Sequence, residues 1–446
     1  MTKREKLTGI TRSWAGRTFE AGRLAAGLGR AAARRLIERE PAPEAPEAPG
    51  DAEDDEALVD RLDQLKGLML KFGQMASYLD GAVPERTQRA LRRLQSEARG
   101  LPWPDVRAVI EADLGKPVGE LFDDIDPEPF AAASIGQVHR ARLGGREWAV
   151  KVQYPGVAET FDTDLGNLRR LAYLGAIGTG LDGPGLVAEL KARMHEECDY
   201  RIEAANLLMF RTFWAKHPGV VIPEPRLDRL GKRVLTAEFI PGKSFFPFAE
   251  SASPAQRSRA GELLYDFAFR SIFGACAFNA DPHPGNYLFL DDGRVAFLDF
   301  GCTKRFEPAL VRRWKRFANA TLKGDFAGWK HEFNMSGFTP DPARFDYAHQ
   351  WQVMQYLYEP MLTEGFRYDH AYVRKSYDLI LWKTPNQRRI SLPPEWLAVQ
   401  RLQWGLNSVL AHLDATGDWG GLFRAALDQP TEAAHRADPL VLGHRP

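Results

Sequence analysis

Three polar side chains in the second half of the chain have the types and spacing that phosphoryl transfer requires. Asp281 and Asn286 bracket the segment Asp281-Pro-His-Pro-Gly-Asn286, and Asp299 begins Asp299-Phe-Gly301 after two short predicted strands. Phosphoryl transfer needs a carboxylate near the attacking hydroxyl or water, together with an amide and a carboxylate that hold Mg²⁺ against the phosphates. The sequence therefore predicts Asp281 at the catalytic position, and Asn286 and Asp299 as metal ligands.

The order of these motifs is more specific than any one of them. Asp-Phe-Gly alone is a common turn tripeptide. The five-residue step from Asp281 to Asn286, however, is that of the catalytic loop of protein kinases, and Asp299 comes at the turn expected after it. Because the motifs occur in this order, we interpret them as parts of one site.

A lysine on an earlier predicted strand has the position of a phosphate ligand. Lys151 lies within Ala149-Val-Lys-Val152, on the second strand of a hairpin that Gly144-Gly145 should close. In kinases the lysine of this strand binds the α- and β-phosphates and is part of the catalytic machinery. A lysine on an edge strand is usually only solvated, so the prediction for Lys151 depends on the segment before it.

That segment has the length of a phosphate-binding loop but not its composition. It is Ala131-Ala-Ala-Ser-Ile-Gly-Gln-Val138, in which alanine and serine stand where a kinase has the outer glycines. The backbone is therefore stiffer, and phosphates can meet its amides only in an altered pose. The predicted nucleotide contacts here are Ala131, Ala132, Ala133, Ser134, Gly136 and Gln137.

Two polar clusters accompany these motifs. Lys71 and Gln74 are three residues apart and share one face of a predicted helix, and Gly73 between them implies that another backbone comes close. A later predicted helix carries the candidate ion-pair partners of Lys151. The sequence leaves the choice open among Glu197, Asp199 and Glu203.

Composition excludes several classes of function. The 446-residue chain has 59 basic and 59 acidic side chains, so its formal net charge is zero and it has no overall attraction to nucleic acid. Its three cysteines show neither metal-binding nor disulfide spacing. No apolar run approaches the roughly 20 residues that cross a bilayer, and no signal-peptide core follows the basic start. We expect a cytoplasmic protein.

The first 40 residues have a composition typical of a membrane-surface helix. Seven arginines between positions 12 and 39 alternate with apolar residues. Two interpretations stay open, namely peripheral contact with the inner face of the membrane and a solvated helix packed on the body. Residues 41–57 are rich in Pro, Ala, Glu and Asp, which predicts a disordered linker.

The rest of the chain alternates between helical and strand-like patterns. A turn-rich stretch runs up to Phe130, and the chain beyond Pro241 is mostly helical. Helices are predicted over 58–78, 85–97 and 185–213. Strands are predicted over 138–143, 147–153, 220–222, 234–239, 287–290 and 295–298.

With these motifs in order, the chain resembles the UbiB/AarF family of atypical kinases, which are linked to coenzyme Q (ubiquinone) biosynthesis and lipid homeostasis. The resemblance covers about residues 60–430. It rests on Lys71-Phe-Gly-Gln74, Ala131 to Val138, Val150-Lys151, Glu197-Cys-Asp199, Asp281 to Asn286 and Asp299-Phe-Gly301.

The resemblance implies an α+β, protein-kinase-like two-lobed fold with an N-terminal helical extension. In the family, that extension carries the residues matched by Lys71 and Gln74 and, with the motif of Glu197 and Asp199, occludes the groove where a protein kinase binds peptide. The implied units are a basic segment 1–40, a linker 41–57, the extension 58–130, an N-lobe 131–240, a C-lobe 241–435 and a tail 436–446.

The resemblance also implies the ligands. It implies binding of ATP or ADP with Mg²⁺, nucleotide contacts from Glu238 and Ile240, and a lipid or quinone precursor as a further partner. The leading interpretation is an atypical kinase or ATPase that does not phosphorylate proteins. Two alternatives are a non-catalytic, nucleotide-responsive scaffold for biosynthetic enzymes and a small-molecule phosphotransferase, against which Lys71 and Gln74 argue.

Overall fold

The computed structural model describes residues 101–133, 135–157, 196–280, 282–382, 384–386, 389–391 and 393–442. The segments predicted over 1–40 and 41–57 lie outside these residues, as do the helices predicted over 58–78 and 85–97. The same is true of four predicted site residues: Lys71, Gln74, Ser134 and Asp281.

The described elements alternate between short strands and helices. The strands are β1 (Asp124–Ile125), β2 (Ala131–Ala133), β3 (Gly136–Leu143), β4 (Arg146–Gln153), β5 (Val220–Val221), β6 (Pro225–Leu230), β7 (Val234–Glu238), β8 (Ala277–Asn279), β9 (Tyr287–Phe289), β10 (Val295–Phe297) and β11 (Thr303–Arg305). The helices of the first half are α1 (Trp103–Leu114), α2 (Val118–Leu121) and α3 (Tyr200–Trp214). Those of the second half are α4 (Phe245–Ser251), α5 (Pro254–Ala275), α6 (Pro308–Leu322), α7 (Phe326–Met335), α8 (Tyr347–Leu357), α9 (Glu359–Leu362), α10 (His370–Tyr377), α11 (Pro394–His412) and α12 (Trp419–Leu427).

An antiparallel sheet forms the first lobe, in the strand order β1-β3-β4-β7-β6, with β2 also paired to β3. Gly144 and Gly145, both at positive φ, close the β3–β4 hairpin and confirm the predicted turn. Successive side chains of a strand point to opposite faces. In β4, Val150 and Val152 are therefore buried on one face, while Lys151 lies on the other.

Helix α1 covers the face of the sheet that carries Val150 and Val152. It buries Val106, Val109, Ile110 and Leu114, which share one side of the helix. The end of α1 is tied to the β6–β7 turn, because an Asp113 carboxylate oxygen accepts the N–H groups of Arg233 at 2.7 Å and Val234 at 3.0 Å.

Two predictions for this region are wrong. The stretch before Phe130 was expected to be turn-rich but contains α1 and α2, since Pro102 and Gly115 mark a helix start and a helix end. The N-lobe was expected to begin at residue 131, but β1 pairs with β3 in the same sheet and α1 packs on it. The first lobe therefore begins before Ala131.

Helix α3 crosses the other face of the sheet, the face of Lys151. Its start differs from the predicted span 185–213, because Asp199 adopts an extended backbone and its carboxylate accepts the N–H of Arg201. Aspartate in this conformation is a favoured N-cap, so the helix begins at Tyr200. Residues 158–195 lie outside the described part of the chain.

The strands after α3 serve both lobes. The predicted strand near 220 was assigned to the N-lobe, but β5 pairs in parallel with β10 and so joins the sheet β5-β10-β9. The sequence analysis missed β6, which begins at Pro225 on the edge of the N-lobe sheet, a position where proline is tolerated. The predicted strands 287–290 and 295–298 are confirmed as β9 and β10.

The second lobe is helical around α5, a 22-residue helix. A capping box fixes its start, in which Ser253 and Gln256 each accept the other's backbone N–H. Its aromatic face joins the main core, where the Phe267 and Phe297 rings stack with centroids 3.7 Å apart. Together the sheet and the helices confirm the α+β, two-lobed, protein-kinase-like fold.

Candidate functional site

Lys151 lies between two carboxylates that come from different parts of the chain. Its Nζ donates to both carboxylate oxygens of Glu203 on α3, each at 2.9 Å, and to Asp299 Oδ2 at 3.2 Å. The Lys151 side chain is 14% exposed and that of Glu203 only 4%. Of the three carboxylates that the sequence left open as partners of Lys151, the structure selects Glu203.

Burial and the charge of the neighbouring ionic partner shift the pKa values of Lys151 and Glu203 in opposite directions. Burial alone would lower the pKa of Lys151, but Asp299 and Glu203 raise it well above the ordinary value for lysine, so the ammonium stays charged. Burial, together with the negative charge of Asp299, raises the pKa of Glu203 to about 7 against the opposing effect of Lys151. Lys151 is thus a fixed cation, and Glu203 titrates near neutrality.

The pKa of Glu203 predicts a pH-dependent stability. Because the folded-state pKa of about 7 lies above the ordinary 4.5, the folded protein binds the extra proton between these values. The free energy of unfolding should then fall as pH rises through this window, by at most about 3 kcal/mol. Glu203→Gln should remove this dependence, which urea titrations at about pH 5 and about pH 8 measure. Equal pH dependence in both proteins would contradict the assignment.

The segment that begins with Asp299 is fixed from three sides. The Gly301 N–H donates to Asp299 Oδ1 at 2.9 Å, and Asn279 Nδ2 donates to the Asp299 carbonyl oxygen at 2.5 Å. Asn206 of α3 donates to the Phe300 carbonyl oxygen at 2.9 Å. The Phe300 ring is fully buried in the main core. These contacts orient the Asp299 carboxylate toward Lys151.

Asn286 is hydrogen-bonded through its backbone to the residue that precedes Asp299. It ends a short 3-10 turn, Pro284–Asn286, that is capped by His283, whose Nδ1 accepts the Gly285 N–H at 2.8 Å. The Asn286 carbonyl oxygen accepts the N–H of Leu298 at 3.0 Å, which brings Asn286 next to the residue before Asp299.

These two side chains fit a hard cation. An amide oxygen and a carboxylate are the donors that Mg²⁺ takes, and it keeps waters and phosphate oxygens as its other ligands. Across the described ranges, no group of three or more His, Cys, Asp and Glu side chains could hold a metal ion. The assignment of Asn286 and Asp299 as Mg²⁺ ligands stays a prediction.

The alanine-rich segment forms a β-hairpin above this site. Ala131 pairs with Val138 and Ala133 with Gly136, on the face of Lys151, since Val138 is also the partner of Lys151. A Cβ added to Gly136 would lie 2.2 Å from the Val152 carbonyl oxygen, closer than any real Cβ contact. Gly136 is thus required by the close approach of β3 to β4. Its predicted nucleotide contact remains a prediction.

The Gln137 side chain points away from Lys151, which leaves the backbone of Gln137 for its predicted nucleotide contact. Gln137 pairs with Val152, so it points to the face covered by α1 and away from Lys151. Its Oε1 accepts the Leu101 N–H at 2.6 Å, and its Nε2 lies 2.9 Å from His139 Nε2. Ala132 pairs with Gln137 and shares that orientation, which leaves only its backbone for a phosphate contact.

Glu238 and Ile240 lie where the chain leaves the sheet for the second lobe, and both are half-buried. Glu238 ends β7 and pairs with Trp148 of β4. Next to it, the Phe239 N–H donates to the Glu147 carbonyl oxygen at 3.3 Å. This position agrees with the predicted nucleotide contact, which remains a prediction.

Glu197 and Asp199 have different surroundings. Glu197 lines a small cleft, whose other lining residues are Ile135, Lys151, Tyr200, Glu203, Asp299, Gly301 and Cys302. Asp199 instead forms an ion pair with Arg201, with 2.6 Å between carboxylate and guanidinium, and caps α3. The occluding role remains a prediction, because Lys71 and Gln74 lie outside the described residues.

The sequence analysis missed one cleft residue with a direct effect on Lys151. The Tyr200 ring is buried, and its centroid lies 5.0 Å from Lys151 Nζ, within range of a cation–π interaction. The sequence signal that could have indicated Tyr200 was its position directly after Asp199, the N-cap of α3. The analysis also missed Asn206 and Asn279, whose amides hold the Asp299 segment, because asparagine carries no signal of a distant partner.

Two further sequence expectations concern cysteines and membranes. In the described structure none of Cys198, Cys276 and Cys302 is in a disulfide. Within the described part of the chain, no helix combines the length and apolar character needed to cross a bilayer.

Comparison with known proteins identifies the family. The family model of the ABC1 atypical kinase-like domain matches residues 93–332. Atypical kinase coq-8, mitochondrial, of Caenorhabditis elegans is 30% identical over 386 residues, which are 82% of this chain and 50% of that protein. Probable protein kinase UbiB of Marinobacter nauticus is 32% identical over 295 residues, which are 64% of this chain and 54% of that protein. The chain spans about half the length of these curated relatives.

A solved structure has the same fold. The chain is similar to Rv3197 of Mycobacterium tuberculosis, solved as a complex with erythromycin, with 28% sequence identity and a TM-score of 0.64. The similarity covers 85% of this chain and 97% of that one. The family model matches more than half of this chain. The chain therefore belongs to the UbiB/AarF family of atypical kinases, which carry the ABC1 domain.

Proposed function

We propose that this atypical kinase binds ATP or ADP with Mg²⁺ between its lobes and transfers the γ-phosphoryl group of ATP to water or to a small, lipid-related acceptor, leaving ADP. The observation that carries the proposal is the position of Lys151. Its ammonium lies 2.9 Å from both oxygens of Glu203 and 3.2 Å from Asp299. This arrangement couples the phosphate ligand of one lobe to the metal ligand of the other.

Each residue has a separate role in this proposal. Lys151, oriented by Glu203, binds the α- and β-phosphates. Asn286 and Asp299 hold Mg²⁺, which when bound neutralises negative charge on the phosphates. Asp281, at the catalytic-loop position, orients the attacking hydroxyl or water. The backbone amides of Ala131 to Gly136 cover the phosphates, with methyl groups that limit their approach.

The names of the relatives support an assignment of the pathway in which this protein acts. Because this chain is similar to coq-8 and UbiB proteins, we place its activity in quinone (ubiquinone) biosynthesis or lipid homeostasis. A lipid or quinone precursor is then the partner. Residues 1–40 provide peripheral contact with the inner face of the membrane, so the protein is cytoplasmic with a membrane-bound fraction.

One observation favours a non-catalytic scaffold as the second candidate. Asp299 is already paired with Lys151 and accepts the Gly301 N–H, so metal binding must compete with an existing ion pair. A chain that binds nucleotide but turns it over negligibly would act through its nucleotide-dependent conformation.

Two assays on the full chain separate the candidates. Thermal unfolding with and without MgATP detects nucleotide binding, because a ligand that binds only the folded state raises the melting temperature. ATPase activity is measured with neutral liposomes, with anionic liposomes and without liposomes. Stabilisation together with turnover supports the kinase or ATPase. Stabilisation without turnover under any condition supports the scaffold, and the absence of stabilisation contradicts both.

A further inference from the structure

A glycine inside helix α11 touches the loop that carries Asp281. A Cβ added to Gly405 would lie 2.2 Å from Pro282 Cγ and 3.1 Å from Pro282 Cβ. The proline ring is closed onto the backbone nitrogen, so it cannot swing aside as a flexible side chain would. Any side chain at position 405 must therefore push on the ring of Pro282, the residue that follows Asp281 in the sequence.

Helix α11 is a rigid support for this contact. It is anchored in the main core by buried apolar residues at helical spacing, namely Leu402, Leu406, Val409 and Leu410. Glycine is among the poorest helix formers. Its presence in the interior of a 19-residue helix therefore needs a local reason, which the contact with Pro282 supplies.

Backbone hydrogen bonds also hold the residues that come before and after Asp281 and Pro282 in the sequence. The Ala280 N–H donates to the Cys302 carbonyl oxygen at 2.8 Å, directly before Asp281. After Pro282, the Asn286 N–H donates to the His283 carbonyl oxygen at 2.9 Å. The hydrogen bonds hold Ala280 and His283, and the contact with Gly405 holds Pro282 between them in the sequence.

We propose that Gly405 is a positioning residue, whose missing side chain lets α11 hold Pro282 and so set the place of Asp281 relative to the phosphoryl acceptor. This inference rests on the proposed function. It also extends the site beyond residues 93–332, the range matched by the family model. The C-terminal helices would then be part of the catalytic arrangement.

Gly405→Ala tests the inference through a split between binding and turnover. Displacement of the loop should lower kcat by roughly 10- to 100-fold. The KM for ATP and the melting-temperature increase with MgATP should stay near those of the wild type, because Lys151 and Asp299 do not touch Gly405. The matched control is Gly119→Ala, since no atom lies within 4 Å of a Cβ added there. Turnover of Gly405→Ala equal to that of the wild type would overturn the inference.

Pro282→Ala provides a rescue, because it removes the Cγ atom that a new Cβ at position 405 would strike. In the Pro282→Ala background, Gly405→Ala should lower kcat no more than about twofold, as expected when two substitutions share one contact. An equal loss in both backgrounds would overturn the inference.

The melting temperatures of the wild type, Gly405→Ala, Pro282→Ala and the double variant, measured without nucleotide, test the packing independently of activity. Gly405→Ala should lower the melting temperature in the wild-type background and not in the Pro282→Ala background. If the wild type shows no turnover, the proposed catalytic function fails. In that case a melting temperature lowered equally in both backgrounds would overturn the inference as well, whereas the expected difference would support the contact.

Discussion

Lys151→Met should abolish MgATP-dependent turnover, lowering it by roughly 10²- to 10³-fold. Methionine has a similar length but no charge, so the α- and β-phosphates lose their fixed cation. The same change leaves Glu203 and Asp299 without their shared partner, 2.9 Å and 3.2 Å away in the wild type. Removing one partner of a buried ion pair typically costs about 3–5 kcal/mol of folding stability. We expect the lower end, because the pKa of Glu203 is already raised to about 7 and its carboxyl can take up a proton.

A second substitution separates the catalytic loss from the structural one. In Lys151→Met/Glu203→Gln no unpaired buried glutamate remains, so urea unfolding should show most of the stability restored while turnover stays absent. Lys323→Met, at an exposed lysine, controls for the loss of a positive charge. Turnover of Lys151→Met within about threefold of the wild type would contradict the role of Lys151, since that corresponds to less than about 1 kcal/mol of transition-state stabilisation.

Asp299→Asn should remove the dependence of nucleotide binding on Mg²⁺ and lower turnover by at least about 10²-fold. Asparagine keeps an oxygen for the Gly301 N–H but loses the charge that a hard cation needs. Folding should change little, because Glu203 continues to pair with Lys151. The measurements are the melting-temperature increase with MgATP and the ATPase rate.

The Asp299 substitution also has an internal check. Because the negative charge of Asp299 raises the pKa of Glu203, the pH dependence of stability should move to lower pH in Asp299→Asn. Asp292→Asn, in the exposed turn between β9 and β10, is the matched control and should leave metal dependence and pH dependence unchanged. Unaltered MgATP turnover in Asp299→Asn would exclude Asp299 as a metal ligand.

Local patterns in the sequence predicted much of the fold. The strands around Lys151 and Asp299 follow from alternating apolar residues, and the β3–β4 hairpin follows from Gly144-Gly145. The helix α1 was missed although its apolar residues recur at helical spacing and Pro102 and Gly115 mark its ends. Local signals of this kind can be recovered from one sequence.

The partner of Lys151 could not be chosen from sequence. Glu197, Asp199 and Glu203 all lie in the middle of one predicted helix, and only the extended backbone of Asp199 decides where the observed helix begins. Glu203 is then on the first turn and faces the sheet. Such a choice depends on how α3 docks against β4, and no local pattern specifies that.

The direction of the Gln137 side chain could not be derived from the motif for a related reason. The motif places it within the phosphate loop, but β3 already begins at Gly136, and one residue along a strand reverses the face on which a side chain lies. The contact of Gly405 with Pro282 was likewise beyond sequence reasoning, since its partners are more than 120 positions apart and neither carries a chemical signal.

Calorimetric titration of the full chain with ATP, in Mg²⁺ and in EDTA, tests the central claim most directly. A site built from Lys151, Asn286 and Asp299 predicts one binding event per chain in Mg²⁺ and an affinity at least about 10-fold weaker in EDTA, a difference of about 1.4 kcal/mol. The same affinity in both buffers, or no heat of binding in either, would contradict the account.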